Sequence, residues 1–311
     1  MAKVAPFESI LVPVDGSVPS LVAEEIVILT TKKFRSKVTL LHVASHELMH
    51  PELQRFSPRI PEYIDAHILG QGDPMVHVPH PSGPTPTEKI QNEITSWYLQ
   101  KGEEILASAV NLFKQEGIAA EREFVEHSDA ADTILRRAEK GGHDLIVMGR
   151  NGGDGQDTHL GSVAEKVSRN ARIPVLVASN RSQVKRILVP VDGTENSRKA
   201  TMYAGLLASK IGADLTLMHV QESTLFSLKP KVTEEIGRWI LDEASRQVGG
   251  VQVEQRLEVG NPAKIIAEKA DQGYDLIVMG SRGRGLAARF TLGSVSNHVL
   301  QYASSSILIA R

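Results

Sequence analysis

Residues 187–194 read ILVPVDGT, and residues 10–17 read ILVPVDGS. Each is a short apolar run without polar alternation that ends on Asp-Gly. That is the pattern of a strand covered on both faces and closed by a turn. Working outward, VTLLHV at 38–43 returns as LTLMHV at 215–220, 177 residues on, and DLIVMG at 144–149 returns at 275–280, only 131 residues on. The chain is therefore an internal repeat, and its first copy carries about 46 extra residues.

The extra residues fall at about 46–91 and hold eight of the 15 prolines. Proline fixes φ and removes a donor, so this stretch is expected to be an irregular excursion, an arm over an interface or a cleft. Its histidines, His46, His50, His67, His77 and His80, are scattered rather than set at the spacing of a metal site.

Between the apolar runs lie segments of helical period. SRKATMYAGLLASKIG aligns Ala200, Tyr203, Ala204, Leu207 and Ile211 on one stripe. GNPAKIIAEKADQG offers Asn261 as N-cap and Pro262 at the first helical position, and closes on Gly273. RIPVLVA at 172–178 and SSSILIA at 304–310 supply fifth strands. The expected fold class is α/β, two tandem doubly wound five-stranded parallel-sheet domains at 1–179 and 184–311, joined by a short linker.

Composition narrows the function. The 311 residues include no cysteine, which excludes disulfides and thiolate metal sites and fits a cytoplasmic protein. No apolar run reaches the roughly 18 residues of a membrane span. With 35 basic against 37 acidic residues and 5% aromatics, neither a nucleic-acid field nor a base-stacking platform is indicated.

The second DLIVMG runs into a loop, SRGRGLAARFTLGSV, rich in glycine and arginine. Gly280, Gly283 and Gly293 let backbone N–H groups approach oxygen atoms, and Gly293-Ser294 opens a helix whose positive end favours phosphate. The loop lacks the Gly-Lys-Ser/Thr ending of a P-loop. The letters GRGLAA (Gly283, Gly285, Ala288) match a dinucleotide fingerprint but follow the fourth strand, where the first is required.

Gly280-x2-Gly283-x9-Gly293-Ser294, together with ILVPVDG and LMHV in register, resembles the nucleotide-binding signature of the universal stress protein family in tandem form. The resemblance implies an adenine nucleotide, ATP or AMP/ADP, between the first and fourth strand ends. Asp192 would bond the ribose or adenine region, and Pro190, Val191, Val220 and Met279 would line the base pocket. Gly280, Arg282, Gly283, Arg284, Gly293 and Ser294 would hold phosphates, with Val295 and Ser296 continuing the contact. It also implies pairing through the fifth strands, here between the two halves of one chain, and a homodimer of tandem chains.

The first copy keeps a weaker set, Pro13, Val14, Asp15, Val43, Gly149, Gly152, Gly161 and Ser162, with its loop one residue shorter. Arg282, Arg284 and Arg289 give the second loop +3, whereas Arg150, Asp154 and Asp157 give the first −1. Two aspartates oppose a triphosphate, so nucleotide is expected mainly in the second domain. An alternative has Asp154 and Asp157 hold Mg²⁺ that in turn holds phosphate. Asp129 stands where the second copy has Gly260.

No catalytic constellation emerges, and the expected function is an ATP-binding stress-response regulator with at most slow hydrolysis and an unidentified protein partner. Two alternatives stand beside it: an ATP-hydrolysing or nucleotidyl-transferring enzyme of the same fold group, and a nucleotide-free interaction scaffold. His42 and His219 read as satisfied strand-end histidines, and Trp97 and Trp239 as core. Lys32, Lys33, Arg35 and Lys37 read as a solvated loop face.

Overall fold

The computed structural model describes residues 7–44, 86–126, 128–152, 159–179, 182–222, 230–281 and 292–311. In the first half these form β1 (Ser9–Pro13), α1 (Val18–Phe34), β2 (Lys37–Ala44), α2 (Pro86–Gln115), β3 (Ala120–Glu126), α3 (Ala130–Lys140), β4 (Leu145–Gly149), α4 (Ser162–Asn170) and β5 (Val175–Ala178). The second half repeats the order as β6 (Arg186–Pro190), α5 (Glu195–Ile211), β7 (Asp214–Gln221), α6 (Pro230–Ser245), β8 (Val253–Val259), α7 (Pro262–Ala270), β9 (Leu276–Gly280), α8 (Ser294–Tyr302) and β10 (Ser306–Ala310).

The strands make one continuous sheet in the palindromic order β3-β2-β1-β4-β5-β10-β9-β6-β7-β8. Pairing is parallel within each half and antiparallel at the centre, where Ile307, Leu308 and Ile309 face Val177, Leu176 and Val175. The pairing of fifth strands expected from the sequence is thus made inside one chain. Successive residues of each strand serve opposite faces. Ile187 and Val189 join one apolar cluster, and Leu188 joins the other. Both clusters draw on both halves, and Phe7 stacks on Tyr203 across the boundary with ring centroids 5.2 Å apart.

The aspartate before each DLIVM run has a visible task. Asp144 accepts the backbone N–H groups of Glu8 (2.7 Å) and Ser9 (3.0 Å), and Asp275 accepts those of Lys185 (2.9 Å) and Arg186 (3.0 Å). Each carboxylate therefore ties the fourth strand of its half to the start of the first. At the other end, strand order reverses between β1 and β4 and between β6 and β9, which opens a crevice at the carboxyl ends of the strands in each half.

Several local expectations change. Residues 86–91, read as part of the irregular excursion, open α2, a 30-residue helix against 16 for α6; proline is well tolerated at a first helical position. The five histidines of the excursion lie outside the described residues. Asn261 does cap α7 by accepting the Lys264 N–H (3.2 Å), but the helix ends at Ala270, ahead of Gly273, whose φ of 94° shapes the following turn. Trp97 and Trp239 are not core, being 54% and 58% exposed. On α6 the buried stripe runs through Ile240, Leu241 and Ala244, so Trp239 falls on the outer flank with Val232 and Ile236. Among the basic residues near β2, Lys32 pairs with Glu116 at 2.5 Å, and Arg35 ends α1 with φ 58°.

Candidate functional site

In the second half, β6 ends at Pro190, and Val191 extends the pairing one step by donating to Met218 O (2.8 Å). Asp192 then turns the chain. Its Oδ1 accepts from Thr194 N (3.0 Å) and Thr194 Oγ (2.6 Å), Gly193 takes φ 81°, and Thr194 caps α5 by accepting from Ser197 N (3.3 Å). The turn is pinned from behind by His219, whose Nδ1 lies 2.7 Å from Val191 O, a contact in which the carbonyl accepts. His219 is buried and owes its place to a glycine. A Cβ at Gly237 on α6 would come within 3.1 Å of the ring and 2.6 Å of Leu257 Cδ1.

The first half repeats this frame. Val14 N–H donates to Leu41 O (2.9 Å), His42 Nδ1 contacts Val14 O (2.7 Å), and Gly16 takes φ 75°. Asp15 Oδ1 accepts from Ser17 N (2.9 Å). Gly102 of α2 leaves room for His42, stacked on Phe124, since a Cβ there would lie 2.7 Å from both rings. The strand-end histidines are satisfied, as the sequence suggested.

The glycines that end the fourth strands serve helix packing. A Cβ on Gly280 would sit 2.8 Å from the backbone carbon of Asn196 in α5, and one on Gly149 would sit 2.7 Å from Ser20 N in α1. Close backbone approach at these positions is thus made by the first helix of each half. Beyond them the loops close alike, by Gly161 N to Arg150 O (2.9 Å) and Gly293 N to Ser281 O (2.8 Å). Gly161 and Gly293 are the N-caps of α4 and α8, and neither supplies a side-chain cap. Among the described residues no side chain caps the first amides of either helix, and Ser162 and Ser294 beside them are exposed. Ser296 instead faces inward, donating its hydroxyl to Gly280 O (2.8 Å). Val191, Val220 and Met279 are buried, Val295 is partly buried, and Pro190, Pro13 and Val43 are of intermediate exposure. Arg282, Gly283, Arg284, Arg289, Asp154 and Asp157 lie outside the described residues. Among those described, no cluster of acidic or histidine side chains could hold a metal ion.

Three side chains distinguish the first cleft. Arg150, counted above with the first loop's charge, does not stay with it. It is 4% exposed and donates through Nη2 to Leu300 O (2.8 Å) and Gln301 O (2.7 Å) in the other half. Burial lowers its pKa from the usual arginine value. Asp129 is the N-cap of α3, accepting from Asp132 N (2.7 Å), so its counterpart is Asn261 and not Gly260. The capping bond from Asp132, followed by the pairing with Lys166, lowers its pKa. Lys166 reaches Asp129 at 3.3 Å and Asp132 at 2.9 Å.

Glu24 is the third, and the sequence reading missed it. It lies on α1, 1% exposed, where the second copy has Thr201. Ser20 Oγ accepts the Asp15 N–H (3.3 Å) and donates to Glu24 Oε1 (3.3 Å), while Oε2 has no hydrogen-bond partner among the described residues. Burial pushes its pKa up to about 7, opposed by the Ser20 hydroxyl and assisted by the negative charges of Asp15 and Glu25. A carboxylate on the buried face of α1, where the other copy has threonine, was the signal available in the sequence.

Comparison with known proteins places this frame. The universal stress protein family model matches residues 75–179 and again 183–311. A universal stress protein of Mycolicibacterium smegmatis is 29% identical over 251 residues, 76% of this chain and 84% of that one. Another, from Synechocystis, is 28% identical over 218 residues, 68% and 72% of the two chains. The crystal structure of a universal stress protein from Archaeoglobus fulgidus superposes with a TM-score of 0.66 at 22% identity, covering 98% of each chain, and so shares the fold. With both halves matched by the family model, the chain belongs to the universal stress protein family and carries two of its units in tandem.

Proposed function

We propose that the chain is an adenine-nucleotide-binding regulator that holds ATP mainly in the cleft of its second half. The observation that carries the reading is the uncapped amide end of α8 at Gly293, a nine-residue helix in the same crevice as the Asp192 turn. Free amides and the positive end of the helix dipole suit an anionic oxygen, and the turn offers a carboxylate for sugar hydroxyls. Gly283, Arg282 and Arg284 supply the remaining phosphate contacts, and Val191, Val220 and Met279 supply the apolar wall for the base. Bound nucleotide would act by altering domain packing or partner binding. The role assigned is retention of the nucleotide, with at most slow turnover.

Mass spectrometry of the protein purified under native conditions tests this. One adenine nucleotide per chain is expected, lost on Gly283→Val. Protein that emerges without nucleotide and takes up none from millimolar ATP would end the reading.

A further inference from the structure

Arg150 belongs to one half of the molecule and acts on the other. It follows Gly149 at the end of β4, and its backbone carbonyl accepts the Gly161 N–H that closes the first loop (2.9 Å). Its neighbour Asn151 accepts the Ser17 hydroxyl (3.2 Å) and reaches His159 O (3.0 Å), so the residue sits at the root of the first cleft. The guanidinium crosses to Leu300 O and Gln301 O. These are among the last four carbonyls of α8, which have no partner inside the helix, and a cation there also suits the negative end of the dipole. The opposite end of α8 is the uncapped amide end of the second cleft.

The two halves make this crossing from different positions. Ser281, in Arg150's place in the second copy, makes the same backbone closure but has no side chain long enough to cross. The end of α4 is held instead by Arg311, which donates to Ser168 O. Resting on the nucleotide reading of the second cleft, we propose that Arg150 is a positioning residue for that cleft. It anchors the far end of the helix whose near end meets phosphate, and it ties that helix to the state of the first loop. A helix of nine residues is about 14 Å long and behaves as one body, so a shift at its last turn is carried to its first.

The full-length chain tests this. Arg150→Met removes the donors and keeps most of the stem. ATP affinity, titrated calorimetrically with Mg²⁺, is expected to fall about tenfold, equivalent to about 1.4 kcal/mol. Arg150→Lys keeps the charge without the planar fork and is expected to lose about threefold; it also carries the test if the methionine variant fails to fold. Arg311→Met breaks a cross-boundary bond that does not touch α8, and should lower Tm while leaving affinity within about twofold. If the Arg150 variants melt lower yet bind ATP like the wild type, Arg150 is an interface bond only and the inference is wrong. Hydrogen exchange of the nucleotide-free chain gives a readout independent of ATP. Faster exchange at Asn297, in the first turns of α8, is expected in Arg150→Met, and a change confined to Ala303 overturns the proposal. A wild-type chain that binds no ATP would sink the functional reading while leaving this exchange measurement decisive for Arg150.

Discussion

In the first cleft the hydroxyl after the aspartate turn, Ser17, donates across to Asn151 O (3.2 Å); in the second, Thr194 folds its hydroxyl back onto Asp192 Oδ1 (2.6 Å). The pair shows where the two copies have diverged. Backbone devices are duplicated: the histidine beneath each turn, the glycine under each first helix, the aspartate at each strand start, and the uncapped fourth helix. Other ionisable side chains near the clefts are not. Glu24, Arg150 and Asp129 in the first half stand against Thr201, Ser281 and Asn261 in the second, and Lys166 stands against His298. Fold-bearing geometry tolerates little change because each device meets backbone at close range, whereas a charge can be redirected by replacing one side chain.

The sharpest way to break the comparison is to block one amide end at a time in the full chain. Gly293→Val is expected to weaken ATP binding by about a thousandfold, or about 4 kcal/mol, and Gly161→Val to change it less than about threefold. Equal losses in a titration would show two equivalent clefts.

Glu24 comes next. Its pKa is raised in the folded chain, from the ordinary 4.5 to about 7, so ionisation is disfavoured by folding. The cost Glu24 adds is absent below about 4.5, grows as pH rises, and is complete above about 7. At pH 8 the cost approaches about 3 kcal/mol. Glu24→Gln should match the wild type in urea melts near pH 4.5 and exceed it at pH 8, and Thr201→Glu should import the same dependence into the second half. Parallel curves for wild type and Glu24→Gln across that range would refute the assignment.

A smaller effect tests what the halves share. His42→Ala and His219→Ala each leave a carbonyl, Val14 O or Val191 O, without its contact, at a cost of about 2 kcal/mol each. Thermal melts that differ widely between the two would show that the turns are not held alike. The smallest concerns Lys166, whose bridges to Asp129 and Asp132 are solvent-exposed. Lys166→Met should shift Tm near the limit of measurement, and high salt should erase even that.

Most of the fold was legible in residues because the signals were local and repeated. ILVPVDG, DLIVMG and the Asn261-Pro262 cap each state an element by its own chemistry. What escaped depended on partners distant in sequence. Nothing near Arg150 announces that it bonds residues 300 and 301, and it was therefore counted with the loop it leaves. Gly280 reads as a phosphate glycine from its spacing, yet the atoms that forbid a side chain there belong to Asn196. Trp239 lies one position off the buried stripe of α6, a margin within which helical periodicity does not separate core from flank. The Asp129 pairing failed for a simpler reason: the stretch from Asp129 to β4 is one residue longer than that from Asn261 to β9, and the offset fixed at the strands matches the wrong neighbour.

Joining the halves through β5 and β10 leaves β3 and β8 as the outer margins of the ten-stranded sheet. These read AEREFVE and VEQRLEV, with Glu121, Arg122, Glu123 and Glu126 on one and Glu254, Arg256 and Glu258 on the other. An open strand is a template for further strands unless charge makes its flank inhospitable. The apolar fifth strands, which would invite sideways growth if exposed, are consumed by each other, and the rims left to solvent are the two strands least suited to recruiting a neighbour.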